Sequence, residues 1–345
     1  MELLKKLCEA HGVPGREEAV RALVVSELKG LCDEIRTDAL GNVIALKKGN
    51  GRGPKVMIAA HMDEIGFLVS HVDEKNGFVR IDPVGGFDPR VLMAQRVLVH
   101  TESGDLMGII GSKPPHILTE EERKKPLELK DLFIDLGLPA EEVKKRVNLG
   151  DFVTLHQDFI EVGNLVSCKA LDDRVGVYVM IEAVKKVKKH VCDIYAVATT
   201  QEEVGVRGAR VSSFNVAPDI GVALDVTVAS DVPGVGEHEH VTKLGAGVAI
   251  KIKDSLSISN PKLVRTMREI AEKKKIKYQL EILPRGGTDA GAIQMTREGV
   301  AAITFSIPTR YLHSVVEAAH KDDIQAAVDL LAAFLEIAHD VDYSL

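Results

Sequence analysis

Tryptophan is absent from this 345-residue sequence and aromatic residues contribute only 4% of it, so platforms for stacking sugar rings are scarce. Cysteine is sparse as well: Cys8, Cys32, Cys168 and Cys192 are scattered, with no C-x-x-C pair. That spacing argues against disulfides and against a thiolate metal site, and it makes buried free thiols in a reducing cytoplasm the expectation. A basic surplus is also missing, because 44 Lys and Arg face 51 Asp and Glu for a net charge of -7. The electrostatic footprint of a nucleic-acid binder is therefore lacking. No stretch reaches the roughly 18 apolar residues that a membrane span requires. Met1 to Leu7 alternates apolar with charged residues, unlike the sustained apolar run of a signal peptide. A soluble, cytoplasmic protein is expected.

What the sequence does contain is ordinary globular material, 45% hydrophobic and 28% charged. Its length exceeds one typical domain, which suggests a large body with a smaller second unit. Val20, Leu23, Val24 and Leu28 recur at helical spacing within Glu17 to Lys29, predicting an amphipathic helix. Val56 to Ala60, Ile194 to Ala198, Ile220 to Leu224 and Ala301 to Ile307 are short apolar runs of the kind that form strands buried on both faces. Between them lie helical patterns at Arg174 to Lys188, Pro261 to Lys274 and Lys321 to Ala338. Strands alternating with such helices predict a three-layer α/β/α body on a mixed, largely parallel sheet, formed by residues 1–66 and 164–345. Residues 67–163 differ. Short strand-like pieces at Gly77 to Ile81, Arg96 to His100, Leu106 to Ile110 and Phe152 to Leu155 are separated by Gly, Pro and Asp turns, which predicts an inserted β-rich domain. A charged helical stretch is expected there from Thr119 to Val147, opened by a Thr119/Glu122 capping box.

Ligands of open α/β sheets gather beyond the carboxyl ends of the strands, where loops converge. His61 follows the first apolar run, Glu202 and Glu203 the second, Asp225 the third and His313 the fourth, while Asp172 stands just before a helix. Each alone has an ordinary explanation: a hydrogen-bonded structural histidine, a helix N-cap, an Asx turn, a solvated loop. Their joint arrival at neighbouring strand ends is harder to assign to chance. Two imidazoles and three carboxylates make a nitrogen and oxygen set suited to zinc or a similar divalent ion. Asp63, two residues after His61, could reach back and hold the imidazole tautomer. Glu202 and Glu203 would point apart on extended backbone, one to metal and one to water. His238 and His240 in GEHEHVT read as a polar loop rather than ligands.

Seven segments then resemble one family, the M42 metallopeptidases, which are tetrahedral aminopeptidases related to glutamyl and deblocking aminopeptidases. They are AAHMDEIGFLV at 59–69, VGG at 84–86, KALDDRVG at 169–176, QEEVGVRGA at 201–209, ALDVT at 223–227, GGTDAGAI at 286–293 and SIPTRYLHS at 306–314. The resemblance implies hydrolysis of the N-terminal residue of peptides by water activated between two zinc or cobalt ions. It implies that Asp172 bridges both ions, that His61 and Asp225 complete one site, and that Glu203 and His313 complete the other. Glu202 would be the general base and Asp63 the orienting carboxylate. It further implies self-assembly through the inserted domain into dimers and tetrahedral dodecamers, with peptides rather than nucleic acid or membrane as partners. The competing enzyme class is an endo-β-glucanase using two carboxylates such as Glu202 and Glu203, but that chemistry leaves His61, Asp225 and His313 without a role.

Overall fold

A computed structural model describes residues 1–345. Four strands, Asp193–Thr199, Lys55–His61, Ile220–Val228 and Ala301–Arg310, lie side by side and parallel at the centre of an 11-stranded sheet. Their flanks are antiparallel. Val43–Lys47 borders Asp193–Thr199 on one side, while Glu317–His320 and Val248–Lys253 both border Ala301–Arg310 on the other. Leu165–Cys168 pairs with Glu317–His320, and Ile160–Val162 forms the far edge.

Successive side chains of a strand point to opposite faces, so the continuous apolar runs feed two cores at once. In Lys55–His61, residues Val56, Ile58 and Ala60 enter the larger core while Met57 and Ala59 enter a second one. Helices Leu171–Lys186, Lys321–Ile337, Glu2–Glu9, Glu18–Leu28 and Pro261–Lys274 cover the first face, and Arg207–Val216 with Asp289–Gln294 cover the other. The α/β/α layering expected from the apolar runs is therefore present. Phe305, fully buried in the larger core, contributes roughly 1.5–3 kcal/mol by leaving water. Helix Pro261–Lys274 has the expected bounds because both of its ends are chemically marked. Asn260 accepts from the Lys262 and Leu263 amides at 2.9 and 3.2 Å, Pro261 fixes the first turn, and Lys275 closes the helix at a φ of 57°.

Six antiparallel strands form a separate closed barrel: Gly66–Val72, Val79–Val84, Phe133–Asp135, Gly104–Gly111, Arg96–Thr101 and Phe152–Leu155. Phe67, Val97, Ile134 and Val153 fill its interior. The continuous helical stretch expected over Thr119 to Val147 is not there. The chain forms short helices at Glu120–Lys124 and Ala140–Arg146, with strand Phe133–Asp135 between them. Pro126 and Pro139 interrupt the backbone hydrogen bonding a helix needs, and the apolar Ile134 completes the barrel core. The Thr119/Glu122 capping box does form. No helix is long and apolar enough to cross a membrane.

Candidate metal centre

The parallel strands deliver their carboxyl ends to one edge of the sheet. His61 is the last residue of its strand, and Glu202 comes three residues after the end of Asp193–Thr199. Asp225 lies near the end of Ile220–Val228, beside Ser306, and His313 comes three residues after Ala301–Arg310. Asp172 comes from another direction, in the non-helical opening of Leu171–Lys186, the helix packed beneath the sheet. Ligand atoms of His61, Asp172 and Asp225 all lie within 4.8 Å of one another, and so do those of Asp172, Glu203 and His313. Asp172 thus belongs to both groups. Its Oδ1 sits 3.0 Å from His61 Nε2 and its Oδ2 sits 3.4 Å from His313 Nε2. His238 and His240 belong to neither group.

The neighbouring Asp173 does different work. Its Oδ2 accepts from the His61 amide at 3.1 Å and its Oδ1 accepts from the Gly176 amide at 3.0 Å, capping the helix. A Cβ at position 176 would lie 2.2 Å from Asp173 Oδ1, so only glycine leaves room for this cap. Both carboxylate oxygens of Asp173 are therefore committed to backbone, while those of Asp172 face the two imidazoles.

Asp63 is placed somewhat differently from the expected tautomer support. Its backbone carbonyl accepts from His61 Nδ1 at 3.0 Å, whereas its carboxylate stands 3.5 Å from that nitrogen. The carboxylate instead accepts from the consecutive amides of Glu202 and Glu203, each at 3.0 Å. Two parallel N–H groups match its two oxygens, so it fixes the loop that carries both glutamates. Carbonyl oxygens accept only, so each histidine carries hydrogen on Nδ1. For His313 the acceptor is the Gly86 carbonyl, at 2.8 Å, beside the barrel strand Val79–Val84. Each Nε2 is left facing the carboxylates.

Charge balance at the centre favours a cation. Burial pushes the Glu203 carboxyl up to about 7, with Asp172 adding repulsion that His313 and His61 only partly relieve. Glu202 and Asp225 are raised well above the ordinary carboxylate range, chiefly by burial and then by neighbouring acids. Asp172 moves the other way: burial opposes its charge, but hydrogen bonds from His313 and His61 hold its carboxyl below the usual range. Burial would lower His313, yet Asp172 and Glu203 push it up to about 10. The protons shared among these partners occupy places that a divalent ion would take on binding. Glu203 Oε1 is buried with no hydrogen-bond partner, an orphan that is costly unless a cation meets it. Donor chemistry and the orphaned oxygen both fit a zinc-like ion.

The family model for M42 glutamyl aminopeptidase matches residues 41–330. The chain belongs to the M42 family. Like its relatives, this M42 protein is an aminopeptidase, a peptide hydrolase, and members of the family are metal-dependent. It is 41% identical over 351 residues to the lysyl aminopeptidase of Pyrococcus furiosus, covering 99% of each chain. Its fold matches an aminopeptidase from the archaeon Desulfurococcus kamchatkensis at a TM-score of 0.93 and 46% identity, covering 97% and 94% of the two chains. The Pyrococcus horikoshii TET1 peptidase, which can assemble into a tetrahedron or a large octahedral shell, matches at 0.86 and 35% identity, covering 97% and 98%. A Thermotoga maritima protein described as an endoglucanase matches at 0.80 and 33% identity, with 97% of each chain covered.

Two buried acids of the M42 centre escaped assignment from sequence. Glu317, 2% exposed, accepts from the Asp172 amide at 3.0 Å with Oε2 and from the His313 amide at 2.8 Å with Oε1. Asp289, also 2% exposed, accepts from Thr199 Oγ1 at 2.6 Å, its other oxygen has no partner, and burial pushes its carboxyl up to about 6. Asp289 lies in the GGTDAGAI segment, where Thr-Asp before a helix reads as a cap. Glu317 had only one signal, an acid opening the short EAAH strand ahead of Ala318 and Ala319.

Proposed function

We propose that the chain removes N-terminal residues from peptides at a centre for two divalent ions, zinc or cobalt. One ion would be held by His61, Asp172 and Asp225 and the other by Asp172, Glu203 and His313. The observation that carries this reading is the position of Asp172, whose two oxygens face the two imidazoles of two overlapping ligand groups. Cations held there lower the pKa of water and stabilise negative charge developing on a carbonyl oxygen.

The remaining steps fall to side chains. Glu202 stands beside both groups on the loop that Asp63 fixes. It takes a proton from the attacking water, whose oxygen bonds to the scissile carbonyl carbon, and returns the proton to the leaving amine as the C–N bond breaks. Asp63 acts through Glu202 and Glu203 as a positioning residue. The free amino terminus of the substrate, drawn to the acidic edge of the centre, limits cleavage to the first peptide bond.

Residues 1–66 and 164–345 serve in this reading as the catalytic unit and 67–163 as an assembly insert, building dimers and then a tetrahedral dodecamer. The shell formed by the Pyrococcus horikoshii relative supports that view. An endo-β-glucanase reading would need two carboxylates about 5 to 9.5 Å apart across a glycosidic bond and would leave the histidines idle. A panel of aminoacyl chromogenic substrates, assayed after EDTA treatment and after return of Zn²⁺ or Co²⁺, separates the two. Peptidase activity lost and then restored is expected; EDTA-resistant β-glucan cleavage without peptidase activity would overturn the proposal.

A further inference from the structure

Two buried carboxylates grip the loops of this centre in the same way. Asp63 takes the amides of Glu202 and Glu203, and Glu317 takes those of Asp172 and His313. The second grip spans far more sequence, since Asp172 and His313 arrive on chain segments 141 residues apart. Glu317 is well placed to join them. Its strand pairs with Leu165–Cys168, Glu317 lying opposite Cys168, and also with Ala301–Arg310, Ala318 lying opposite Arg310. One side chain therefore sits where the strand leading to Asp172 and the strand leading to His313 are both fixed in register. The His313 backbone adopts a φ of 58°, a left-handed conformation uncommon among non-glycine residues. The bond from the His313 amide to Glu317 and the bond from its ring to Gly86 hold it there.

We propose that Glu317 is a positioning residue that sets the separation of Asp172 and His313, and so determines how tightly the Asp172–Glu203–His313 group holds its ion. The proposal rests on the two-ion reading above. His61 and Asp225 are held by other means. The His61 amide bonds to Asp173, its Nδ1 to the Asp63 carbonyl, and Asp225 is held in register with Ser306 of the neighbouring strand. Loss of Glu317 therefore weakens one ion position more than the other.

The substitution Glu317→Gln keeps size and shape but offers one acceptor and one NH₂ donor. One of the two amides then loses its partner and faces a donor. Metal-stripped wild-type and variant proteins would be titrated with Co²⁺, following calorimetric heats and the visible absorption of bound cobalt, with far-UV circular dichroism confirming the fold. Wild-type protein is expected to take two equivalents. In Glu317→Gln one equivalent weakens by about 10- to 100-fold, as when partners behind metal ligands are removed, and the other, which shares only Asp172 with the disturbed group, weakens less. Glu317→Asp, which keeps both acceptors on a shorter stem, shows a smaller loss in the same equivalent and serves if the Gln variant does not fold. Two equivalents at wild-type affinity in both variants, or equal weakening of both, would overturn the role of Glu317. A wild-type protein that binds no ion would instead overturn the two-ion reading itself.

Discussion

The sheet of the large body and the barrel are built from similar apolar residues, yet only the large body assembles a centre. Its four central strands run parallel, so their carboxyl ends emerge together and residues as distant as His61 and His313 meet above one edge. Parallel pairing also forces long crossovers, which hide both faces and leave the strand ends as the place where polar side chains can gather. The barrel strands are all antiparallel and close on themselves around Phe67, Ile134 and Val153. Closure removes exposed edges but offers no shared end where distant loops converge. The barrel meets the centre from the side, through the Gly86 carbonyl on His313 and through Val315, which packs into the barrel core. Function in this molecule follows strand direction more than composition.

The sharpest way to break that contrast is to compare one acid from each region. Glu202→Gln is expected to lower kcat by about 10²- to 10⁴-fold, the usual worth of a general base, while ion binding persists. Asp105→Asn on the barrel surface should stay within about twofold. A comparable loss from the barrel variant, measured by steady-state kinetics on an aminoacyl substrate, would end the distinction.

Cavities test whether the two cores are separate. Phe305→Ala in the large core should cost about 3–5 kcal/mol and Ile134→Ala in the barrel about 2–5 kcal/mol. Hydrogen exchange should show the second loss confined to amides of the barrel strands, and exchange spreading evenly through both regions would show one cooperative core.

Acidity sharpens the comparison within the large body. Glu17, 1% exposed, accepts from the Gly15 and Gln201 amides, and burial pushes its carboxyl from about 4.5 up to about 7. The folded protein then keeps that proton where the unfolded chain has released it, so stability falls as pH rises from about 4.5 to about 7. Glu17→Gln should remove this share of the slope, read as the difference between wild-type and variant melting temperatures across that window. Parallel slopes would mean that Glu17 titrates normally. The smallest effect belongs to the barrel's surface: Thr119→Ala removes one side of a capping box on a five-residue helix and should cost about 1 kcal/mol or less, with no change in kcat. A larger loss would mean that this helix supports the barrel core.

Much of the fold was legible because the signals were local. Apolar runs marked the buried strands, and Asn260 and Pro261 marked a helix start that the backbone obeys. The strand at Phe133–Asp135 was hidden by the charges around it, since one inward residue, Ile134, does most of its packing. The centre was legible where a strand end met a chemically apt residue. Its supports were less so: Asp63 stands out in sequence, but the amides it grips belong to a loop 139 residues away. Glu317 follows no motif, because its role depends on strand pairings that appear only once the sheet is built.

The bond between Gly86 and His313 ties the placement of a single proton to the integrity of a neighbouring domain. Excising the barrel as a cassette and sealing the gap with a linker would leave the larger sheet its own core, yet the imidazole would lose its anchor and could swap tautomers. A fragment can thus be well folded and still present the wrong nitrogen.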